Sequence, residues 1–273
     1  MTTTAPTPVD AGLPGMRVTQ SRVIRSEWTK FRSLRSTNIT LTVAIVLTIG
    51  IGALISAVTA ARFGTMPANR RAHFNAIITS LNGVRISQLA VGVLGVLLIT
   101  GEYATGMIRS SLTAVPKRLP VLWAKMAVFT GIVGITSVIS TIVAFFLGQA
   151  LMTSKHLNAS ITDPGALRMV IGAGIYLLLI GLIGMALGCL LRNTAAGISA
   201  LVALFFVIPP ILDLLPTSWA DTLGPYLPST AGEAFWGDPD TTHLSPWAGL
   251  AVLVGWTAIL VALAATRLTH HDA

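Results

Sequence analysis

The side chains best suited to chemistry gather in one stretch of the sequence. Gly101-Glu102-Tyr103-Ala104-Thr105-Gly106 runs into Met107-Ile108-Arg109-Ser110-Ser111-Leu112, then Thr113-Ala114-Val115-Pro116-Lys117-Arg118, and on to Ala124-Lys125. Met107, Ile108, Leu112 and Val115 recur at helical spacing, and Pro116 would stop the helix. The glycines allow a sharp turn into it. An apolar strip flanked by Glu102, Arg109, Lys117 and Arg118 is built for docking and charge pairing. A charged linker between apolar runs is the plainer reading of the same residues. A second stretch of this kind is Arg17–Ser36. There Ile24, Trp28, Phe31 and Leu34 share one helical face, and Arg22, Arg25 and Arg32 fall on another. That pattern suits a helix lying in a membrane interface, or a basic flank that orients the first span.

Elsewhere the chemistry is sparse. No G-x-x-x-x-G-K-[ST] occurs, and none of Lys30, Lys117, Lys125 and Lys155 follows a glycine, so the chain has no P-loop for ATP. G-x-S-x-G and H-E-x-x-H are also missing from the sequence. His73, His156, His243, His270 and His271 fall in loops or the tail, and the single Cys189 sits in an apolar run. The sequence predicts no catalytic residue, metal or bound cofactor. Deep in the apolar runs there is no acid or base of the kind a proton relay needs. Glu102, Lys125, Arg85 and Asp213 lie near run ends, where snorkelling is expected to keep their charges wet.

The elements that position these residues follow from composition. In 273 residues, 53% are hydrophobic and only 10% are charged, against about 25% in a soluble domain. So few ionic groups cannot cover a soluble surface, and the apolar content excludes disorder. The fold class is all-α and polytopic, with six transmembrane helices expected at about 39–61, 80–101, 121–152, 167–191, 195–213 and 246–266. Residues 1–16 read as a disordered tail and 269–273 as a short C-terminal tail, around one transmembrane domain from 17 to 268. The net charge of +8 is dispersed between apolar runs, which argues for topology and anionic lipid rather than nucleic acid. Most Lys and Arg fall on one side if the N-terminus is inside, which predicts cytoplasmic termini. The four arginines Arg62, Arg70, Arg71 and Arg85 run mildly against that orientation. Asp213–Pro246 holds five acids and no Lys or Arg, as an outer loop would.

Three stretches together carry a resemblance. G-E-Y-x-x-G-x-x-R-x-x-L-x-x-x-P-x-R followed by A-K resembles the loop after the second span in type-2 ATP-binding-cassette (ABC) exporter permeases. Glu27-Trp28-x-Lys30-x-Arg32-Ser33-x-Arg35-Ser36-Thr37 is similar to the amphipathic helix that precedes the first span in that family. Tyr226-Leu227-Pro228-Ser229-Thr230-Ala231-Gly232-Glu233-Ala234 is similar to its re-entrant helices between spans five and six. One departure is Met107, where relatives often carry Thr. The resemblance covers residues from about 18 to 268. It implies that Glu102, Tyr103, Gly106, Ile108, Arg109, Leu112, Pro116, Lys117 and Arg118 form a coupling helix that docks on an ATPase. It implies an interfacial helix with Ile24, Glu27, Trp28, Lys30, Phe31 and Arg32, and a re-entrant segment with Tyr226, Pro228 and Glu233. It further implies a permease subunit in a bacterial cytoplasmic membrane, paired with a second copy or a paralogue. Separate ATPase subunits would hold the ATP and Mg.

The re-entrant expectation also has a physical basis. Pro216, Gly224-Pro225, Pro228 and Gly232 interrupt a segment rich in Trp219, Tyr226, Phe235 and Trp236. Two glycine stripes stand out as well. Gly174, Gly181, Gly184 and Gly188 line span four, and Arg85, Gln88, Gly92 and Gly95 share a face of span two. Tight helix packing explains both. The sharper expectation places the span-two stripe at a dimer interface or a substrate path. Two other functional classes share this frame. One is a non-transporting sensor or immunity-type protein, and the other a secondary transporter, which would need ionisable or unwound sites at mid-membrane. An intramembrane enzyme is weaker still, lacking a nucleophile–base pair.

Overall fold

The structure is a computed structural model, and it describes residues 19–104, 118–214, 216–238 and 244–270. Every regular element among them is helical. The order is α1 (Gln20–Ser33), α2 (Arg35–Arg62), α3 (Ala68–Ala72), α4 (Ala76–Leu81) and α5 (Val84–Ala104). From residue 118 onward come α6 (Arg118–Thr153), α7 (Ala166–Leu191), α8 (Thr194–Val202) and α9 (Ile208–Asp213). The chain closes with α10 (Thr217–Leu223), α11 (Pro228–Trp236) and α12 (Pro246–His270).

Six helical stretches are long and apolar enough to cross a membrane. Span one is α2, span two is α4 with α5, span three is α6, span four is α7, span five is α8 with α9, and span six is α12. This is a multi-pass membrane architecture. The expected spans are found, each within a few residues.

Span two is not one continuous helix. Asn75 caps α4 by accepting from the Ile77 and Ile78 amides at 3.0 and 3.2 Å. The chain then breaks at Asn82-Gly83 before α5. A Cβ on Gly83 would collide with the Thr48 carbonyl oxygen, so the break lets span two approach span one. Span five carries another irregularity. Ala203–Val207 forms a π turn one residue before Pro209-Pro210. Each proline lacks an amide hydrogen, and the looser turn absorbs the bonds that are lost.

Spans two and four form the buried centre, while spans one, five and six expose most of their outer faces. Small residues set the central contact. A Cβ on Gly95 would meet the Gly181 carbonyl oxygen, and one on Gly184 would meet the Gly92 carbonyl oxygen. Gly181 leaves room for the Phe129 ring of span three. Gly174 abuts Val138 on that same helix. Backbones this close gain dispersion contacts that larger side chains would prevent, which is how helices associate where no hydrophobic effect separates them.

The span-two stripe is therefore a contact inside the chain. Gly92 and Gly95 are buried against span four and Leu201, and Gln88 accepts a 2.5 Å hydrogen bond from the Tyr176 hydroxyl. Those three positions are buried within the chain, and Arg85, at the top of the stripe, is exposed.

Candidate functional site

The sequence places its chemistry at the joint between α1, span two and span three, and the structure puts a buried ion cluster there. α1 is amphipathic in two directions. Val23, Glu27 and Phe31 recur every fourth residue and turn inward. Val23 packs on Val121 and Ala124 of span three, and the Gln20 amide donates to the Pro120 carbonyl at 3.0 Å. Phe31 joins the main core. Ile24, Trp28 and Leu34 instead stay exposed, at 36%, 45% and 40%. The expected single apolar face is thus split. Phe31 docks on the bundle, and the other three stay exposed, as do Arg22, Arg25 and Arg32.

Glu27 meets two lysines. Its carboxylate accepts from the Lys125 ammonium at 2.6 Å and from the Lys30 ammonium at 2.8 Å. Lys125 also donates to Glu102 at 2.8 Å, and Lys30 approaches the same Glu102 oxygen at 3.3 Å. Two acids and two lysines from three helices therefore form one neutral set. The side chains of Lys125, Glu27 and Glu102 are only 5%, 5% and 8% exposed. Lys125 and Glu102 do not snorkel, contrary to the expectation from their place near span ends. Their charges turn inward because each finds an opposite charge, which offsets the cost of leaving water.

Burial pushes the Glu27 carboxyl up, but Lys125 and then Lys30 outweigh it and hold the group below its ordinary value. Burial pulls the Lys30 ammonium down, yet Glu27 and Glu102 together hold it above its ordinary value. Both groups are thus fixed in their charged forms. Beside them is a cavity of ≈ 10 Å³, closed by Phe31, Leu98 and Val128. That is room for about one water.

The neighbouring contacts tie further spans to this end. The Arg192 guanidinium lies over the Tyr103 ring, 5.6 Å from its centroid. Arg192 ends span four in a left-handed conformation, φ 53°. The Thr194 hydroxyl of span five donates to Thr100 of span two at 2.8 Å. The expected coupling residues Gly106, Ile108, Arg109, Leu112, Pro116 and Lys117 lie outside the described residues, as does the side chain of Arg118. What is described is their two stems, ending at Ala104 and starting at Arg118, bound together through Glu102 and Lys125.

At the opposite end, α10 and α11 occupy the stretch expected to be re-entrant. α11 packs between spans four and six. Gly232 abuts the Tyr176 ring, Gly249 abuts Ala231, and Trp236 is 1% exposed. Tyr226 accepts from the Trp256 indole through its carbonyl at 2.9 Å. Pro228 opens α11, and Glu233 on that helix pairs with Arg85 of span two at 3.4 Å. The Arg85 guanidinium also sits over the Trp236 ring, at 5.9 Å. Arg168 of span four donates to the Phe235 carbonyl and fastens the far end of α11. Among the described residues, no three His, Cys, Asp or Glu side chains gather as a metal site would require.

Sequence reasoning found Glu27, Lys30 and Glu102 but assigned them separate roles. The signal for joining them was the surplus of charge at helix ends that must pack: Glu27 lies one helical turn from Phe31, on the buried face. No protein-family model matches this chain, and no curated protein matches it.

Proposed function

We propose that this chain is the transmembrane subunit of an ATP-driven exporter, similar to the type-2 ABC permeases. Two copies, or one copy and a paralogue, would build the pathway in a bacterial cytoplasmic membrane, with both termini cytoplasmic. Separate ATPase subunits would bind ATP and Mg and dock on residues 102–118. The chain itself would hydrolyse nothing.

The observation that carries this reading is the ion cluster at the stems of that segment. Glu102 stands at its start, Lys125 follows it, and the Lys125 ammonium donates to both Glu102 and Glu27 of α1. A force applied to the segment reaches spans two and three and α1 as one unit. Coupling needs such a rigid route, because ATP binding can drive a two-state change only through contacts that differ between the states. α1, with Ile24, Trp28 and Leu34 open to lipid, would rest in the membrane interface.

The test is co-purification with a soluble P-loop ATPase expressed from a neighbouring gene, followed by transport into inverted vesicles. Replacing Arg109 by Ala, which leaves the buried cluster intact, is expected to leave ATP hydrolysis running while transport stops. Full transport by that variant, or no ATPase partner in the membrane extract, would overturn the reading.

A further inference from the structure

A second site lies at the end of the molecule away from α1. There a cleft of ≈ 700 Å³ opens between the upper half of span one, the α3–α4 connection and Asp238. Its size falls within the ~300–1,000 Å³ usual for small-molecule sites, and is far more than a lone inorganic anion would fill. The lining is mixed. Ile55 and Ile78 give it an apolar floor patch, with Phe74 beside them; Thr59, Thr79, Asn82 and Arg85 add polar groups, and Arg70, His73 and Asn69 are exposed. Ile55 lies seven residues below Arg62, the end of span one, so the floor is roughly 10 Å down that helix.

The charges of the lining are unequal in availability. Asp238 accepts a hydrogen bond from the Asn75 amide at 2.9 Å, which ties it into the wall. Arg85 pairs with Glu233 and lies over Trp236, both outside the cleft. Neither Arg70 nor His73 has an acidic partner within ion-pair distance among the described residues. Among the described residues the exposed mouth therefore offers donors with no acid in ion-pair contact, beside an apolar patch.

We propose that this cleft binds an anionic amphiphile, with its phosphate, sulfate or carboxylate head at Arg70 and His73 and its hydrocarbon tail against Ile55 and Ile78. A guanidinium recognises such a head by paired, charge-assisted hydrogen bonds. The tail replaces water on apolar walls that are otherwise wet. This goes beyond the transporter reading and needs no ATPase. The ligand can be a membrane lipid or a soluble amphiphile, since the head chemistry is the same.

The test uses the purified full chain in neutral maltoside micelles and three probes: octyl phosphate, inorganic phosphate and octyltrimethylammonium. Octyl phosphate is expected to bind and to raise the thermal midpoint, with inorganic phosphate about tenfold weaker or more and the cation without effect. Arg70→Gln with His73→Gln is expected to weaken octyl phosphate about tenfold. Both residues are exposed, so the variant keeps the fold. Ile55→Trp fills the floor and is expected to abolish octyl phosphate binding while leaving the weak phosphate binding in place. Competition by anionic phospholipid but not by zwitterionic phospholipid would identify a lipid source, and competition by neither a soluble one. Undiminished binding by the double Gln variant would overturn the proposal. Equal binding of the cationic probe, or of inorganic phosphate and octyl phosphate, would do the same.

Discussion

The two ends of the bundle use charge in opposite ways. Near α1, the ammoniums of Lys30 and Lys125 each lie 2.6–3.3 Å from the carboxylates of both Glu27 and Glu102. Three of the four are almost fully buried. At the other end, the Arg85–Glu233 pair is longer, at 3.4 Å, and its members are 51% and 37% exposed. The difference separates fastening from recognition. A buried, neutral set gains from every charge and fails when one is removed. An open set leaves donors available to something that is not yet there.

Removing Lys125 is the strongest way to break this contrast. Lys125→Met would leave Glu27 and Glu102 facing each other with only Lys30 between them. A loss of about 3–5 kcal/mol is expected, the usual cost of stranding a buried charge. It would appear as low yield and a lowered midpoint in detergent unfolding. Adding Glu27→Leu restores charge balance between Lys30 and Glu102, so the double variant should recover part of that loss. No recovery would mean that shape rather than charge balance holds the cluster.

A backbone contact gives the next largest effect. Gly95→Val drives a branched side chain into the Gly181 carbonyl, and about 1–3 kcal/mol is expected from overpacking. Gly101→Ala in the same helix meets nothing within 4 Å and should be neutral in the same unfolding assay.

The pH response of the cluster is smaller and has a definite sign. Glu27 is held below its ordinary 4.5, so its stabilisation is present above that value and is lost as pH falls through the depressed value. Lys30 is held above its ordinary 10.5, so its share is present below that value and is lost as pH rises through the raised one. Between these limits the contribution of Glu27 and Lys30 should be insensitive to pH. Comparing unfolding of the protein and of Glu27→Gln from neutral to acid pH checks this: the acid fall should be shallower in the variant.

Arg85→Gln should matter least to stability. An exposed pair contributes about 0–1 kcal/mol at most, further weakened by salt. A thermal shift as large as that of Lys125→Met would erase the distinction between the two ends.

The sequence made the spans legible because charge-free apolar runs have one stable solution in a bilayer. It also marked the helix before span one, the glycine contacts and the two short helices after span five. It misplaced Lys125 and Glu102, because a charge near a span end reads as wet until its partner is known. That partner, Glu27, lies almost a hundred positions away from Lys125 in the chain. Periodicity likewise grouped Phe31 with Trp28, since a helical wheel cannot say which edge of a wide apolar face meets protein and which meets lipid. The interruption at Asn82-Gly83 was hidden inside an apolar pattern that continues across it. The cleft was invisible for a different reason. Its walls come from span one, the next connection and Asp238, and no local pattern links them.

One residue near the N-terminus shapes how all of this would move. Leu34 alone separates α1 from span one, and its backbone is extended. The corner is nonetheless braced: its amide donates to the Lys30 carbonyl at 3.2 Å, and the Asn38 side chain donates to the Arg32 carbonyl at 3.0 Å. A bare swivel would let α1 shift while span one stayed still. A braced elbow acts as a bell crank, so a displacement of α1 would pass to span one rather than be absorbed between them.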